Sequence, residues 1–382
     1  MDKKNSNKPI RVAEIVGKYV GGGVEAVVMN YYRNIDRNKI QFDFICDSDS
    51  TNIPYKEIES LGGRVILCPP YQKIFSYIKE LEKIFKDNDY KIVHSHINTL
   101  SVFPLYAAKR AGVPIRIAHS HSTSNKKEWK KNLLKNILKP FSKVFATHYF
   151  ACTEHAGRWL FGNKTFDEGK VLVVNNGIDL DKYIYNEKIR KEKRKELGLK
   201  DSDLVIGHVG RFMKQKNHDF IIDIFNELYK QNNNYKLMLI GQGPLEEEIK
   251  SKVKKLNLDK SVLFLGQKTD ANNYYQAMDL FLFPSLYEGL GMVAIEAQTS
   301  GLPCIVSTEV PQIAKVSNKI EFIDLLDSKE KWIKTIDKAI KDTDRNVDIE
   351  KIREAGYDIK NEVMKLENKY KGMLNAYMNG GN

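Results

Sequence analysis

No apolar run in this 382-residue chain approaches the ~20 residues that a membrane span requires. The opening MDKKNSNKP is polar and carries no signal-peptide core, so a cytoplasmic chain is expected. Cysteine is scarce. Cys46, Cys68, Cys152 and Cys304 lie far apart, with no pair at metal-ligand spacing, and read as small buried residues of a reducing compartment. What is plentiful is basic charge: the net charge of +12 favours acidic partners, whether nucleotide phosphates, anionic lipid or nucleic acid, and does not by itself choose among them. With 42% hydrophobic and 29% charged residues the composition is that of a water-soluble globular protein, and the length suits two domains, each with its own core.

The most informative stretch is Leu280 to Ser307, LFLFPSLYEGLGMVAIEAQTSGLPCIVS. Leu280 to Phe283 is a short apolar run of the kind that forms a buried strand, and Pro284 stops it. Glu288-Gly289-Leu290-Gly291 follows, with glycines that let the backbone turn tightly and approach a ligand. Met292 to Thr299 has helical periodicity, Gly301 sits where a C-cap belongs, and Cys304 to Val306 reads as the next strand. A strand, a glycine turn and a helix N-terminus form an anion site, because free N–H groups and the helix dipole point to one place. Glu288 and Glu296 flank it. They do not suit phosphate, but they suit accepting hydrogen bonds from sugar hydroxyls beside one. The plainer alternative is a loop acid and a dipole-favoured helix acid.

Upstream, strands at Ile10 to Val16, Phe42 to Cys46, Arg64 to Leu67, Ile92 to His94 and Ile115 to Ala118 alternate with helical stretches, the pattern of a parallel, doubly wound sheet. Gly21, Gly23 and Ala26 formally satisfy the dinucleotide fingerprint, with Asp43 about 20 residues on. That spacing keeps open an NAD-dependent oxidoreductase. The other reading of the loop is a glycine turn that leaves Glu25 free for a hydroxyl-rich acceptor. His94 and His96 end one strand and His119 and His121 the next, and ligands of open α/β sheets bind at such carboxyl ends. Asp47-Ser48-Asp49 reads as a solvated turn. Residues 125–144, NKKEWKKNLLKNILKPFSKV, form a basic amphipathic helix, which either lies on an anionic membrane or packs its stripe on its own domain.

In the second half, a charged stretch from Glu187 to Lys200 marks a domain boundary before a fresh strand at Leu204. Gly210-Arg211-Phe212-Met213-Lys214-Gln215-Lys216 then follows a strand end, where an Arg fork and a Lys point charge can clamp a pyrophosphate. Further strands are read at Val171 to Val174, Lys236 to Ile240 and Val262 to Leu265. Ile349 to Met373 reads as one closing helix.

E-x7-E between strand and helix, followed by Gly-Leu-Pro, resembles the donor motif of the family 4 retaining glycosyltransferases of the GT-B fold. KIVHSHINTLSVFPLYAAKRAGVPIRIAHSHSTS resembles the bacterial exopolysaccharide and capsule members, and Asn176-Gly177-Ile178-Asp179 resembles the family's crossover. The resemblance implies an α/β fold of two doubly wound, Rossmann-like domains facing a central cleft. Residues 1–178 would bind the acceptor and residues 179–357 the sugar donor, with a helix at about 358–382 returning to the first domain. It implies transfer from a nucleoside diphosphate sugar, a UDP-sugar, to a saccharide or polyprenyl-linked acceptor, with no metal and no nucleic acid partner.

By the same resemblance, Gly22, Gly23 and Glu25 match a G-G-x-E loop near donor phosphates and acceptor, with His96 on the acceptor side. His121, or His119 in the other register, is the active-site histidine. Gly210, Arg211 and Lys216 neutralise the leaving diphosphate, with Lys214 as the alternative lysine. The backbone around Gln267 seats the base, Glu288 with Gly289, Leu290, Gly291 and Met292 meets the transferred sugar, and Glu296 holds the ribose. Related enzymes with lipid-linked acceptors use the region of the basic helix at the membrane, which would place the chain on the inner membrane face. A non-catalytic partner subunit of the same fold is the remaining rival.

Overall fold

The computed structural model describes residues 8–121 and 129–380 of the chain. It divides into two compact units, Met1–Ile178 with Gly356–Asn382, and Asp179–Ala355. Each is built on a parallel sheet whose strands are buried on both faces by helices, so the strands read as nearly continuous apolar runs.

In the first unit the strands are β1 (Ile10–Gly17), β2 (Ile40–Asp47), β3 (Arg64–Cys68), β4 (Ile92–Ser95), β5 (Ile115–Ser120), β6 (His148–Ala151) and β7 (Val171–Val173). Their spatial order is β3-β2-β1-β4-β5-β6-β7. The order reverses between β1 and β4, so their carboxyl ends flank a topological switch point, where open α/β sheets hold ligands. One face of the sheet packs on helices Gly23–Asn34 and Ile359–Met378 through Val28, Tyr32, Phe42, Leu366 and Tyr370.

The second unit has β8 (Leu204–Val209), β9 (Tyr235–Ile240), β10 (Val262–Phe264), β11 (Leu280–Phe283), β12 (Cys304–Ser307) and β13 (Ile320–Ile323), ordered β10-β9-β8-β11-β12-β13. Here the switch point lies between β8 and β11. The Arg/Lys loop follows the first of these strands and the Glu288 loop follows the second.

Two expectations need correction. The closing helix is not continuous: Ile349–Ile352 leads into a π-helical turn at Arg353–Tyr357, where Gly356 is left-handed (φ 87°). A new helix then starts at Ile359, with the Asp358 carboxylate accepting the Lys360 N–H. That break lets residue 358 bridge to Ile178, and a Cβ on Gly177 would fall 2.7 Å from the Ile359 Cα, which is why the crossover needs glycine there. Asp47 is buried rather than part of a solvated turn, and burial first, then the Asp49 charge, pushes its carboxyl up to about 6. The charged stretch before β8 is largely a helix, Glu187–Glu196, with Arg194 buried against the carbonyls of Ala277, Lys200 and Asp203. β6 and β13 had not been anticipated at all.

Asp43 also differs from its fingerprint role. It is fully buried in β2 and accepts hydrogen bonds from Arg11 (2.9 Å), Arg64 (3.0 Å) and Tyr90 (2.6 Å). Burial alone would raise its carboxyl, but the Arg11 and Arg64 bonds outweigh it and hold it below the usual range. Its contribution is therefore complete above the unfolded carboxylate value of ~3.9 and is lost as pH falls through the lower folded value. Asp43→Asn is expected to cost about 3 kcal/mol in urea denaturation at neutral pH, the effect of removing one partner of a buried pair. An unchanged midpoint would contradict that role.

Candidate active site

In the second unit, three strand ends converge. The Gly210 N–H donates to the Ile240 carbonyl (2.9 Å), Phe212 to Gln242 (3.2 Å), and Gly241 to Gly266 (2.9 Å). These bonds set the loop that carries Arg211 and Lys216. The same loop is stitched to the one after β11: Leu286 N–H donates to the Gln215 carbonyl (2.8 Å), Gln215 Nε2 to Tyr287 (3.0 Å) and Asn217 Nδ2 to Pro284 (3.1 Å).

That stitching brings Lys216 Nζ to 2.7 Å from Glu288 Oε1, with side-chain exposures of 15% and 7%. The ammonium also lies 4.7 Å from the centre of the Phe283 ring, a cation–π contact. Arg211 is exposed, and its guanidinium has no ion-pair partner among the described residues. The site thus offers a free fork, a half-sequestered point charge and a carboxylate within one loop pair.

The helix after Glu288 is Met292–Thr299, and its N-cap is Gly291 in the left-handed region (φ 83°) with no side-chain cap, so its first N–H groups are uncapped by any side chain. Gly289 is exposed, whereas Leu290 is buried and anchors the turn. Glu296 sits one turn inside and accepts the Tyr275 hydroxyl (2.9 Å). Burial raises its carboxyl, opposed by hydrogen bonds from Tyr275 and Tyr183. Gln267 is exposed just after β10, next to Gly266. Gly210, Arg211, Lys216, Gln267, Glu288 to Met292 and Glu296 are therefore brought to one end of one sheet, whereas Gly22 and Gly23, also expected on the donor side, belong to the first unit.

In the first unit the four strand-end histidines form a buried array. His96 Nε2 lies 2.7 Å from Glu14 Oε2, and His96 Nδ1 lies 2.8 Å from His121 Nε2. Beside this chain, His94 Nδ1 is 2.6 Å from the Tyr370 hydroxyl, and His94 Nε2 is 2.9 Å from His119 Nδ1. Tyr370 also donates to Glu14 Oε1 (3.2 Å). Both nitrogens of His94 and His96 are thus engaged, while His119 Nε2 and His121 Nδ1 are buried with no partner among the described residues. A cavity of about 10 Å³ lies against these rings. Glu14 and Tyr370 were not singled out from sequence. An acid inside the apolar strand VAEIV was the available signal, since a buried charge must be paired.

Gly22 caps the helix that Gly23 begins. Glu25 is already partly engaged: its Oε1 accepts the Val20 N–H (3.0 Å), and a Cβ on Gly22 would come within 2.8 Å of its Oε2. It holds the glycine loop in shape. With Asp43 locked by arginines, the dinucleotide fingerprint has no acid left for a ribose.

Of the basic helix, residues 125–128 lie outside the described residues, and Trp129–Leu138 is helical. Leu133, Ile137 and Phe141 are 59%, 57% and 51% exposed, whereas Leu138 beside them is buried. Its lysines are not all solvated: Lys139 lies over Trp159 and Lys143 donates to Thr165. No helix among the described residues is long and apolar enough to cross a membrane.

A family model for group 1 glycosyl transferases matches residues 189–356, and one for glycosyltransferase family 4 matches residues 21–182. A putative glycosyltransferase, EpsF, from Bacillus subtilis is 35% identical over 370 residues, covering 94% of this chain and 96% of the relative. The chain belongs to these glycosyltransferases. An Escherichia coli UDP-Gal:alpha-D-GlcNAc-diphosphoundecaprenol alpha-1,3-galactosyltransferase is 26% identical over 97% of this chain and 99% of its own length. The crystal structure of Anabaena HepE in complex with UDP-glucose matches with a TM-score of 0.77 at 18% identity, covering 95% of this chain and 99% of that one, which shows the GT-B fold. In this glycosyltransferase the two family models fall on the two units, each of which carries one of the residue clusters described above.

Proposed function

We propose that the enzyme moves a hexosyl group from a UDP-sugar to a saccharide or polyprenyl-linked acceptor of a cell-surface polysaccharide, with retention and without a metal. The observation that carries this reading is the Lys216–Glu288 pair at the switch point of the second sheet, on the same loop as Arg211, which has no ion-pair partner among the described residues. The diphosphate of the donor meets Arg211 and Lys216, so fixed cations neutralise the leaving group where other enzymes use a metal. Glu288, released from Lys216 by the incoming phosphate, turns to the sugar hydroxyls, and Glu296 takes the ribose. The active-site histidine in this reading is His121. The names of the E. coli relative and the HepE complex support UDP as the carrier, and the former supports a lipid-linked acceptor.

UDP is expected to raise the melting temperature in magnesium-free buffer with EDTA, since a ligand bound at 100 times its Kd adds about 2.7 kcal/mol. Stabilisation that appears only with added magnesium would overturn the metal-free reading.

The outward-facing stripe of Leu133, Ile137 and Phe141 supports membrane-surface docking of this helix over packing against its own domain. Each lysine near an anionic surface adds on the order of 1 kcal/mol, screened by salt. The wild-type enzyme is expected to sediment with anionic vesicles and not with neutral ones. A double variant, Ile137→Glu with Phe141→Glu, is expected to stay in the supernatant. Equal sedimentation of both proteins would assign the stripe another role.

A further inference from the structure

We propose that Glu14 and His96 are positioning residues for His121. Together the three form a carboxylate–imidazole–imidazole relay whose direction decides whether His121 Nδ1 accepts or donates a hydrogen bond. The role of the relay in catalysis rests on the glycosyl-transfer reading above, but its existence rests on geometry alone.

The logic follows from which atoms carry protons. An ionised Glu14 carboxylate only accepts, so the 2.7 Å contact from His96 requires the proton on His96 Nε2. Neutral His96 then has a bare Nδ1, and the 2.8 Å contact with His121 requires the proton on His121 Nε2. His121 Nδ1, buried and without a partner among the described residues, is left as a lone pair that accepts from a ligand hydroxyl or a water. The neighbouring chain is tied to the same carboxylate. With Tyr370 donating to Glu14 Oε1, its oxygen accepts from His94 Nδ1, His94 Nε2 accepts from His119 Nδ1, and His119 Nε2 is also a lone pair. The His119 and His121 rings stack at 3.9 Å, so the array ends in two acceptors side by side.

Adding one proton from solvent at His121 Nδ1 reverses the first chain. The His121 Nε2 proton passes to His96 Nδ1, the His96 Nε2 proton passes to Glu14 Oε2, and every group ends neutral. His121 now presents a donor. The burial of the array favours this outcome over an imidazolium. Burial raises the Glu14 carboxyl, opposed by the Tyr370 bond, and lowers all four histidines, His96 to about 3. The groups that face Glu14 are His94 in β4 and His96 just after it, with His119 in β5 and His121 just after it behind them. Tyr370 comes from the helix Ile359–Met378 and Tyr31 from the helix Gly23–Asn34. Its β2 neighbour in register is the apolar Phe44, and among the described residues no lysine or arginine pairs with it.

The test is nitrogen NMR of protein labelled with ¹⁵N-histidine, in which bare and protonated ring nitrogens are separately resolved. His121 is assigned by its loss in His121→Asn. Between about pH 9 and pH 5, wild type is expected to pass from bare to protonated Nδ1, with His96 reversing at the same midpoint. In Glu14→Gln the amide donates to His96 Nε2, so His121 should carry its proton on Nδ1 at every pH. Tyr370→Phe should leave the His121 reversal in place. Donor turnover by Glu14→Gln should fall about tenfold and lose its acid limb, with UDP affinity unchanged. If Glu14→Gln does not fold, the wild-type titration alone decides. A His121 tautomer that is constant over the range, a doubly protonated His121, or a stoichiometric zinc ion held by these nitrogens would overturn the relay. Failure of UDP-sugar binding would sink the glycosyl-transfer reading while leaving the tautomer result intact.

Discussion

The contact between Lys216 and Glu288 exists only because two loops from strands far apart in sequence are sewn together by backbone carbonyls. Gln215, Leu286 and Asn217 supply the stitches, and β8 and β11 supply the anchor points on either side of the switch point. Neither charge would be tolerable alone with so little exposure. Each satisfies the other until a ligand with its own negative charge arrives, and the ammonium can then exchange one anion for another without ever being left bare. In the function proposed above, that exchange would be the physical route by which a diphosphate readies the carboxylate for the sugar.

The first unit solves the same problem with histidine instead of a cation. Glu14 is one of the most deeply buried acids of the chain, and it is made tolerable by donors from β4 and from the helix that closes the chain. The returning helix is therefore more than a cover for the sheet. Its Tyr370 hydroxyl completes the hydrogen-bonding of Glu14, and the break at Gly356 is what lets that helix begin at the right place, bonded to the crossover at Ile178.

Much of this was legible from the sequence wherever local chemistry and periodicity agree. The stretch from Leu280 to Thr299 shows strand, stop, glycine turn and helix in order, because each residue there serves both its local conformation and the site. The pairs at His94, His96, His119 and His121 were visible for the same reason. What stayed hidden depends on partners distant in sequence. Nothing near Asp43 announces two arginines and a tyrosine, so the dinucleotide spacing looked complete. The bond of Glu25 to the Val20 amide is a property of the folded loop and has no signature in the sequence. β13, with only four residues and a half-exposed centre, carries too little apolar pattern to stand out.

The central claim is that the sugar donor lies across the stitched loops with its ribose on Glu296 and its sugar on Glu288. The direct test is calorimetry with UDP, alongside initial rates with the full donor, for Glu288→Gln and Glu296→Gln. Glu296→Gln is expected to weaken UDP about tenfold, or 1.4 kcal/mol. Glu288→Gln should keep or improve UDP affinity, since Lys216 is freed, while turnover falls on the order of 100-fold through a contact that strengthens in the transition state. Loss of UDP affinity in Glu288→Gln, with Glu296→Gln unaffected, would contradict the account.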